Sequence, residues 1–574
     1  MEQFGTYISI DQLGYPRASI RDCVQIAETI NRRAGLIILG MYNLALALAS
    51  IRKGDGDDRL KAQEALLRNS VSESRLRDLK AKLGNANLVT VPLFHRAQLL
   101  TMIKLVAKFG RTEGGNKLEI RDDFDVIAEL GLLVNSLWRQ PKGGSDGEEL
   151  IAQQLALSLE IENPARIPES MVRPFEMLGN YLPAMARHDR IARRIERALV
   201  FTSGLNSEEL FDLTFAIWSY YRSLSVEEVV ADQRKAHFNP QASSEVASGP
   251  YLTRILDAEA VSFESLAGLD FGPADSGRFL NDHTELRRKP VWKFGSDNYL
   301  CFDPAFLQDK LCAGVFWTVM NAFDEQERVG FTRVWGRLFE EYVRDLLLSM
   351  IPEDRVWISP FFDDGTEAFD FVIDSGPTLV VAQLKSTFVP VIPKYADNPK
   401  DFFAGMESRF GDTESGALKQ IRESILRCFD LGVRVPPVTQ FRERRFREVI
   451  PIIVHQEPVL QFGLVSRHFV RRFRRQIDSV VLRPDLHVRP VIYLHVNDLH
   501  MISQYVRDGL STVVDLLHAK LDIDRHDFHS FEEVFDTRIR KPMSATIRAD
   551  SRLCEMWEAQ SEASMERFRA GAYH

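Results

Sequence analysis

The stretches Phe369-Asp-Phe-Val-Ile and Val380-Val-Ala-Gln-Leu-Lys decide the fold class that this sequence predicts. Both are short and mainly apolar, which is typical of strands buried in a packed sheet. Side chains alternate between the two faces of a strand, so Gln383 and Lys385 are expected on the same face. Together with Asp370, they predict a polar cluster inside an otherwise buried sheet.

The lysine of this cluster requires a partner, because an unpaired ammonium in an apolar site is costly or shifts its pKa. The sequence from Trp335 to Leu347 carries apolar residues at helical spacing and predicts an amphipathic helix with one buried face. Glu340 borders that face, whereas Glu341 aligns with the polar residues on the outer side. Glu340 is therefore the carboxylate expected to face the cluster.

A helix with a glutamate, a strand with an aspartate and a next strand ending in x-Leu-Lys resemble the restriction-endonuclease-like PD-(D/E)XK nuclease superfamily. The similarity covers residues 331–500. It implies that Asp370, Gln383 and the backbone carbonyl of Leu384 bind Mg²⁺ or Mn²⁺. It also implies that Lys385 positions the attacking water and that Glu340 completes or tunes the metal shell. The expected activity is metal-dependent hydrolysis of phosphodiester bonds by a DNA endonuclease, with defence against foreign DNA as one setting.

The rest of this region predicts an α/β core. Val449-Ile-Pro-Ile-Ile-Val-His and Pro490-Val-Ile-Tyr-Leu-His-Val have the composition of buried strands. With the elements before them they give an α-β-β-β-α-β order, which predicts a mixed sheet flanked by helices. The stretch from Pro390 to Gly416 is irregular and too long for an ordinary connection, so we expect a binding loop, a lid or an insertion there.

Gln383 departs from the family pattern, which has an aspartate or glutamate at this position. An amide oxygen can bind a hard cation but adds no charge, so metal affinity should fall unless another carboxylate compensates. Asp374 is one candidate because it shares a strand face with Asp370. A site that has lost catalysis is also consistent with the glutamine, which would leave a nucleic-acid-binding or scaffold protein on the same fold.

A purely structural reading of the same residues is open as well. Glu340 could pair with Arg344, and Asp370 could satisfy a buried Lys385, as ion pairs without any catalytic role. The structural and the catalytic interpretations differ in whether Lys385 forms an ion pair with Asp370.

Basic residues concentrate beside the candidate site. Between positions 440 and 490 there are eleven arginines and five acidic residues. Such a zone would bind phosphates electrostatically, although a solvated, partly ion-paired face is the alternative. Nucleic acid is the expected partner, with DNA favoured over RNA, and Gln420 enters the set through the family resemblance alone. The predicted contacts are Lys394, Gln420, Arg442, Arg444, Arg445, Arg471 and Arg472.

The length of 574 residues and the Gly- and Pro-rich breaks in the sequence predict several domains. We expect a mainly α-helical regulatory or assembly region at 1–240, a connector of helices and a hairpin at 250–330, a nuclease domain at 331–505 and a helical segment at 506–574. The helical region is the expected route to a homo-oligomer or a protein partner. Five scattered cysteines and no signal-peptide layout favour a cytoplasmic location. The net charge of −9 indicates that the protein as a whole is not a polyanion binder.

Two features of the helical region have alternative readings. The apolar stretch that begins at Ala34 is short for a membrane span and contains Asn43, so we expect a buried core helix, with membrane association as the alternative. An arginine stripe at helical spacing could contact nucleic acid or could be a solvated face. Its members are Arg187, Arg190, Arg193, Arg194 and Arg197.

Overall fold

The chain is a mixed α/β protein in which helices flank a central mixed sheet, as the sequence predicts at the level of fold class. Helices dominate before the sheet and cover both of its faces. The computed structural model describes residues 9, 16–52, 57–73, 77, 93–113, 120–121, 124–137, 145–162, 169–240, 249–429, 438–441, 445–480, 482, 484–524 and 551–570.

The first region is helical, with one small hairpin formed by β1 (Ile120–Arg121) and β2 (Phe124–Asp125). Capping boxes fix several helix starts, because a side-chain oxygen accepts the orphan N–H of the first turn at Asn206 and Ser225. A π-helical turn occupies Glu176–Tyr181. The helices are α1 (Ile20–Ala27), α2 (Arg32–Arg52), α3 (Asp57–Ser70), α4 (Arg96–Phe109), α5 (Val126–Leu137), α6 (Ser145–Glu162), α7 (Glu169–Phe175), α8 (Leu182–Ala186), α9 (Ala192–Ser203), α10 (Ser207–Arg222), α11 (Val226–Ala231) and α12 (Gln233–Ala236).

The connector contains the predicted hairpin. Strands β4 (Val291–Lys293) and β5 (Tyr299–Cys301) pair antiparallel, and β3 (Val261–Ser262) adds a parallel edge. Asp303 caps the helix that follows, and its carboxylate also pairs with the buried Arg96, so the connector is tied to the first region. The helices here are α13 (Gly249–Glu259), α14 (Phe263–Leu266), α15 (Gly277–Asn281), α16 (Thr284–Arg288), α17 (Pro304–Asp309) and α18 (Val315–Ala322), with a π-helical turn at Lys310–Gly314.

The last region begins with the long helix α19 and holds the central sheet. Its elements are α19 (Glu325–Leu348), β6 (Val356–Ile358), β7 (Phe371–Ser375), β8 (Thr378–Lys385), α20 (Val391–Lys394), α21 (Pro399–Phe410), α22 (Ala417–Phe429), β9 (Glu448–His455), α23 (Gly463–Asp478), β10 (His487–Val488), β11 (Ile492–His495), α24 (Val496–Arg507), α25 (Val513–Asp524) and α26 (Ser551–Ala570). Short 3₁₀ turns occupy Glu353–Arg355, Thr439–Phe441 and Pro458–Gln461.

The sheet runs in the order β10-β9-β8-β7-β6, and β11 pairs with β9 on the same edge as β10. Strands β6, β7 and β8 form an antiparallel meander, whereas β8, β9 and β11 are parallel. The parallel step from β8 to β9 requires a crossover, which α20, α21 and α22 supply. The sheet is therefore mixed, with its parallel half covered by helices.

The two faces of the sheet enter two separate hydrophobic cores. Val380 and Ala382 join the core that also contains the buried face of α19 and most of the first region. Val381 belongs to the second core, with residues of α21, α22 and α23 and with Ala156 of α6. The predicted alternation of β8 is confirmed, and hydrophobic contacts continue across the expected boundary near residue 331.

The apolar stretch from Ala34 lies within α2, which is long and apolar enough to cross a membrane by composition alone. Within the span from Arg32 to Ile51, 94% of the most apolar 18-residue window is buried inside the protein. Asn43 donates hydrogen bonds to the backbone carbonyl of Phe302 and to the carboxylate of Asp303. The helix is therefore a core helix, which confirms the preferred reading of the sequence.

The prediction of an irregular stretch from Pro390 to Gly416 is wrong. Helices α20 and α21 occupy most of it, and Asn398 caps α21 by accepting the backbone N–H of Asp401. The three prolines and the many polar residues obscured these starts, because proline is favoured in the first turn of a helix as well as in loops.

Candidate active site

The candidate site lies where β8 ends and β7 begins. These strands are antiparallel, so the residue just before β7 meets the last residues of β8. Asp370 is that residue, and its backbone N–H bonds to the carbonyl of Ala382. Its carboxylate accepts a hydrogen bond of 2.8 Å from the amide of Gln383 and another from the backbone N–H of Leu384. The register of one hairpin thus brings together three of the predicted site residues.

The surroundings of Asp370 disfavour the charged form of its carboxyl and raise its pKa. Burial raises the pKa of its carboxyl from 3.8 to about 7; the N–H of Leu384 opposes the rise, and the charges of Glu367 and Glu340 add to it. The charge of Lys385 lowers the pKa only in part. A buried carboxylate next to two like charges favours a bound proton or a cation.

Lys385 has neutral partners on its ammonium. Its Nζ donates to Oε1 of Gln420 at 2.8 Å and to the backbone carbonyl of Ser415 at 3.2 Å. Burial lowers its pKa, the charge of Asp370 opposes this effect, and the charge of Arg409 adds to it. Within the described part of the chain, Lys385 forms no ion pair with Asp370. The structural alternative, in which these two residues form an ion pair, therefore differs from the observed contacts.

Glu340 reaches the site from α19, the helix that the sequence predicts. Gly336 marks the close approach, because a Cβ at this position would lie 3.7 Å from Oγ of Ser386 and 3.9 Å from Oε1 of Glu340. The surrounding protein and the charge of Glu367 raise the pKa of Glu340, and Arg337 opposes them.

The alternative pair of Glu340 with Arg344 also differs from the observed contacts. Arg344 pairs with Glu341 at 3.3 Å, on the outer side of the helix. Glu340 is solvent-accessible and lies at the mouth of the site, facing Ser386 rather than Arg344. Its carboxylate is therefore available to the site.

Glu367 is a site residue that the sequence analysis missed. It lies three residues before Asp370 on an exposed segment, and its charge raises the pKa of both Asp370 and Glu340. The sequence signal was the pair of carboxylates in Glu367-Ala-Phe-Asp. The segment lies outside the strand pattern, so periodicity gave it no defined position.

Asp374 was one candidate for the compensating carboxylate, and the structure places it away from the site. It lies four residues along β7 from Asp370, which corresponds to about 13 Å at the rise of a strand. It is buried at the far end of the strand and accepts the backbone N–H of Gly376 in the turn to β8. Glu367 is the additional carboxylate whose charge acts on Asp370.

The residues predicted to contact phosphates lie in different surroundings. Lys394 is a correction, because its ammonium is buried between the carboxylates of Glu160 at 2.9 Å and Glu457 at 2.8 Å and cannot reach a substrate. Gln420 contacts Lys385 and lies inside the site. Arg445 is exposed. Arg442 and Arg444 lie outside the described residues.

The two predicted arginines of α23 have acidic neighbours. Arg472 pairs with Glu407 of α21, and Arg471 lies 3.9 Å from Glu148 of α6. Arg467, on the same helix, lies 3.5 Å from Glu148. These partners, more than 60 residues away in sequence, neutralise part of the charge that the local arginine count predicted, whereas Arg474 and Arg475 of the same helix are exposed.

The donor set at the site fits a hard divalent cation. One oxygen of Asp370 takes both of its hydrogen bonds, and the other accepts none from the described residues. A strand residue directs its N–H and its carbonyl to the same side, so the Leu384 carbonyl faces the Asp370 side as well. Carboxylate, amide and carbonyl oxygens are the ligands that Mg²⁺ accepts.

Histidine, cysteine and carboxylate side chains alone do not form a metal cluster among the described residues. A cation here would therefore depend on the amide oxygen of Gln383 and on the backbone. Chemically, the arrangement can hold a cation beside a lysine that keeps part of its hydrogen-bonding capacity. No protein-family model, curated protein or solved structure matches the chain.

Proposed function

We propose that the protein is a metal-dependent nuclease that hydrolyses phosphodiester bonds, with DNA as the substrate and internal bonds as the target. The observation that carries the proposal is that two ionisable groups, Asp370 and Lys385, lie at one site and that neither forms an ion pair with a described residue. Lys385 is partly buried with only neutral acceptors, and Asp370 is a buried carboxyl whose pKa is raised to about 7. Groups perturbed in this way concentrate at functional sites.

Each residue has a separate role in this proposal. Asp370, Gln383 and the Leu384 carbonyl would hold Mg²⁺ or Mn²⁺, and Glu340 and Glu367 would add negative charge around it. When bound, the cation supplies Lewis acidity that lowers the pKa of water and neutralises phosphate oxygens.

Lys385 would orient the nucleophile and stabilise charge on the phosphate. An ammonium has three N–H donors, and the observed bonds to Gln420 and Ser415 use two of them. These two bonds fix the direction of the side chain and leave one donor for water or a phosphate oxygen. Because the donor is already held in place, little free energy is spent on reorienting it when charge develops in the transition state. Preorganised donors accelerate reactions in this way.

The resemblance to PD-(D/E)XK nucleases supports DNA as substrate and products with a 5′-phosphate and a 3′-hydroxyl. It also supports a setting in defence against foreign DNA. The first region packs on the same core as α19. This shared core is the observation that supports a regulatory role for the first region.

Cleavage assays test the proposal. Supercoiled plasmid, linear duplex, single-stranded DNA and RNA would be incubated with Mg²⁺ or Mn²⁺, with EDTA as control. The proposal expects cutting of DNA that EDTA abolishes. Absence of cutting of every substrate, with nucleic-acid binding intact and indifferent to metal, would contradict it.

The second candidate is a non-catalytic nucleic-acid-binding or scaffold protein. The hydrogen bond from the Gln383 amide to Asp370 favours it, because this bond satisfies the carboxylate without a metal. This candidate expects that Mg²⁺ changes neither the thermal stability nor the nucleic-acid affinity of the protein. The nuclease proposal expects both to rise with Mg²⁺, because a ligand of the folded state stabilises it.

A further inference from the structure

A row of exposed arginines lies on the first region, at the turn before α9 and along that helix. The four side chains are solvent-exposed, and no carboxylate of the described residues forms an ion pair with them. They contrast with Arg194 of the same helix, which pairs with Glu327. The row consists of Arg187, Arg190, Arg193 and Arg197.

The acidic residues among these arginines have other partners. Asp189 accepts the backbone N–H groups of Ile191 and Ala192 and so caps the start of α9. Glu196 accepts hydrogen bonds from the backbone and the hydroxyl of Ser207. These donors are neutral, so both carboxylates keep their charge, and the four arginines of the row exceed them by two positive charges.

The row runs alongside α19, the helix that carries Glu340. Tyr181 donates a hydrogen bond of 2.6 Å to Asp345, and Ile191 lies 3.0 Å from the position of a Cβ on Gly330. The chain between these two contacts, which includes Arg187 and Arg190, therefore passes antiparallel along the middle of α19.

Two further exposed arginines lie between the row and the site. Successive residues of an α-helix are rotated by about 100°, so Arg333 projects midway between Gly330, which faces α9, and Gly336, which faces Ser386. Arg337 lies one turn further along and interacts electrostatically with Glu340. Both side chains are exposed, and neither forms an ion pair with a carboxylate of the described residues.

We infer that these six arginines form a track that binds the phosphate backbone of duplex DNA and leads it to Glu340 and Asp370. The inference rests on the proposed function and names the surface that holds its substrate. From Glu327, beside α9, to Glu340 the helix rises about 20 Å. This length matches about six base pairs of duplex.

The track favours nucleic acid over other anionic partners because it ends at the candidate site. It also carries the ring of Phe201, which is 90% exposed one turn after Arg197. Exposed aromatic rings beside arginines suit contact with bases or sugars. An anionic membrane could use the same chemistry, but it would not require the arginines that continue along α19.

Matched triple variants test the track. Arg190→Ala/Arg193→Ala/Arg197→Ala would be compared with Arg467→Ala/Arg471→Ala/Arg472→Ala on α23, whose three arginines have acidic neighbours, both in a Lys385→Ala background that prevents cleavage. Affinity for a fluorescent 30-base-pair duplex would be measured from 50 to 200 mM KCl. We expect the first triple to weaken binding at least tenfold and to reduce the slope of log affinity against log salt by about 2–3. The second triple should change affinity less than twofold.

Equal affinity of the first triple and its parent would overturn the inference, and so would equal losses in both triples. A photo-crosslinking residue at Phe201 gives an independent readout that does not depend on the folding of the triple. The inference expects a crosslink to labelled duplex and none to anionic phosphatidylglycerol vesicles, and the reverse pattern would overturn it.

These outcomes are separate from those of the proposed function. If duplex binds through α9 but the native protein cuts nothing, the nuclease proposal fails and the track stands. If DNA is cut but the α9 triple binds like its parent, the track fails and the nuclease stands.

Discussion

Lys385 and Lys394 are nine residues apart, and their surroundings are opposite. Lys394 is buried with two carboxylates on its ammonium, and although burial lowers its pKa, the charges of Glu160 and Glu457 outweigh this and raise it. Lys385 has two neutral acceptors, and burial lowers its pKa. One lysine has its charge neutralised by its neighbours, whereas the other does not.

The difference separates a structural cluster from a functional one. The cluster around Lys394 joins α6, α20 and the end of β9, so it holds the first region against the sheet. In the cluster around Lys385, the ammonium bonds only to neutral oxygens. The carboxyl of Asp370 lies near two further carboxylates, whose charges raise its pKa. A fold keeps such a site when a ligand or a reaction uses it.

The largest effect that the comparison predicts is on activity. Lys385→Ala should reduce cleavage by at least a factor of about 10³, because it removes the positioned cation of the proposed reaction. The unfolding midpoint in urea should change little, because the two oxygens left behind are neutral and can bind water. Single-turnover cleavage and urea unfolding would be measured together, with Lys400→Ala, an exposed lysine of α21, as control. Wild-type cleavage by Lys385→Ala would contradict the assignment.

The next effect is on stability and concerns the other lysine. Lys394→Met should lower the free energy of unfolding by about 3–5 kcal/mol, because Glu160 and Glu457 would remain buried without their shared cation. Any remaining activity should scale with the folded fraction. Urea unfolding is the measurement. A midpoint within error of wild type would show that the Lys394 cluster does not hold the fold together.

A smaller effect on stability has the opposite sign. Asp370→Asn should stabilise the metal-free protein at pH 8 by about 1–3 kcal/mol. The pKa of Asp370 rises from 3.8 to about 7 on folding, so between these values the folded state binds more protons and stability falls as pH rises. Asparagine does not ionise, so the gain should shrink as pH falls from 8 to 4.5. Urea midpoints in EDTA at both pH values test this, and a gain that grows at low pH would contradict it.

The smallest predicted effect concerns the residue that the sequence analysis missed. Glu367→Gln should weaken Mn²⁺ binding about five- to tenfold, which is about 1–1.4 kcal/mol, because it removes one charge from the field around Asp370. Isothermal titration calorimetry would measure it, with Asp374→Asn as the matched control at the far end of β7. Equal affinities for the two variants would remove Glu367 from the site.

Local pattern predicted the parts of the site that lie on regular elements. The amphipathic pattern placed Glu340 on α19, and strand alternation placed Gln383 and Lys385 on one face of β8. The antiparallel register that joins Asp370 to Gln383 follows from a tight turn between two strands. Elements with a strong period and a short connection carry this information within the sequence itself.

Contacts between distant segments could not be predicted in the same way. Lys394 looked like a surface cation, because Glu160 lies 234 residues before it in the chain. The arginines of α23 looked like a phosphate-binding zone, yet Glu148 and Glu407 lie against them. Charge counts describe a sequence neighbourhood, whereas ion pairing depends on the tertiary fold.

Single-turnover cleavage of supercoiled plasmid by the wild type and by Lys385→Ala, with Mg²⁺ and with EDTA, tests the central claim most directly. The account predicts cutting by the wild type that requires metal and that the variant loses while its unfolding midpoint stays unchanged. Cutting at equal rates by both proteins, or loss of folding in the variant, would contradict the contrast between a functional Lys385 and a structural Lys394.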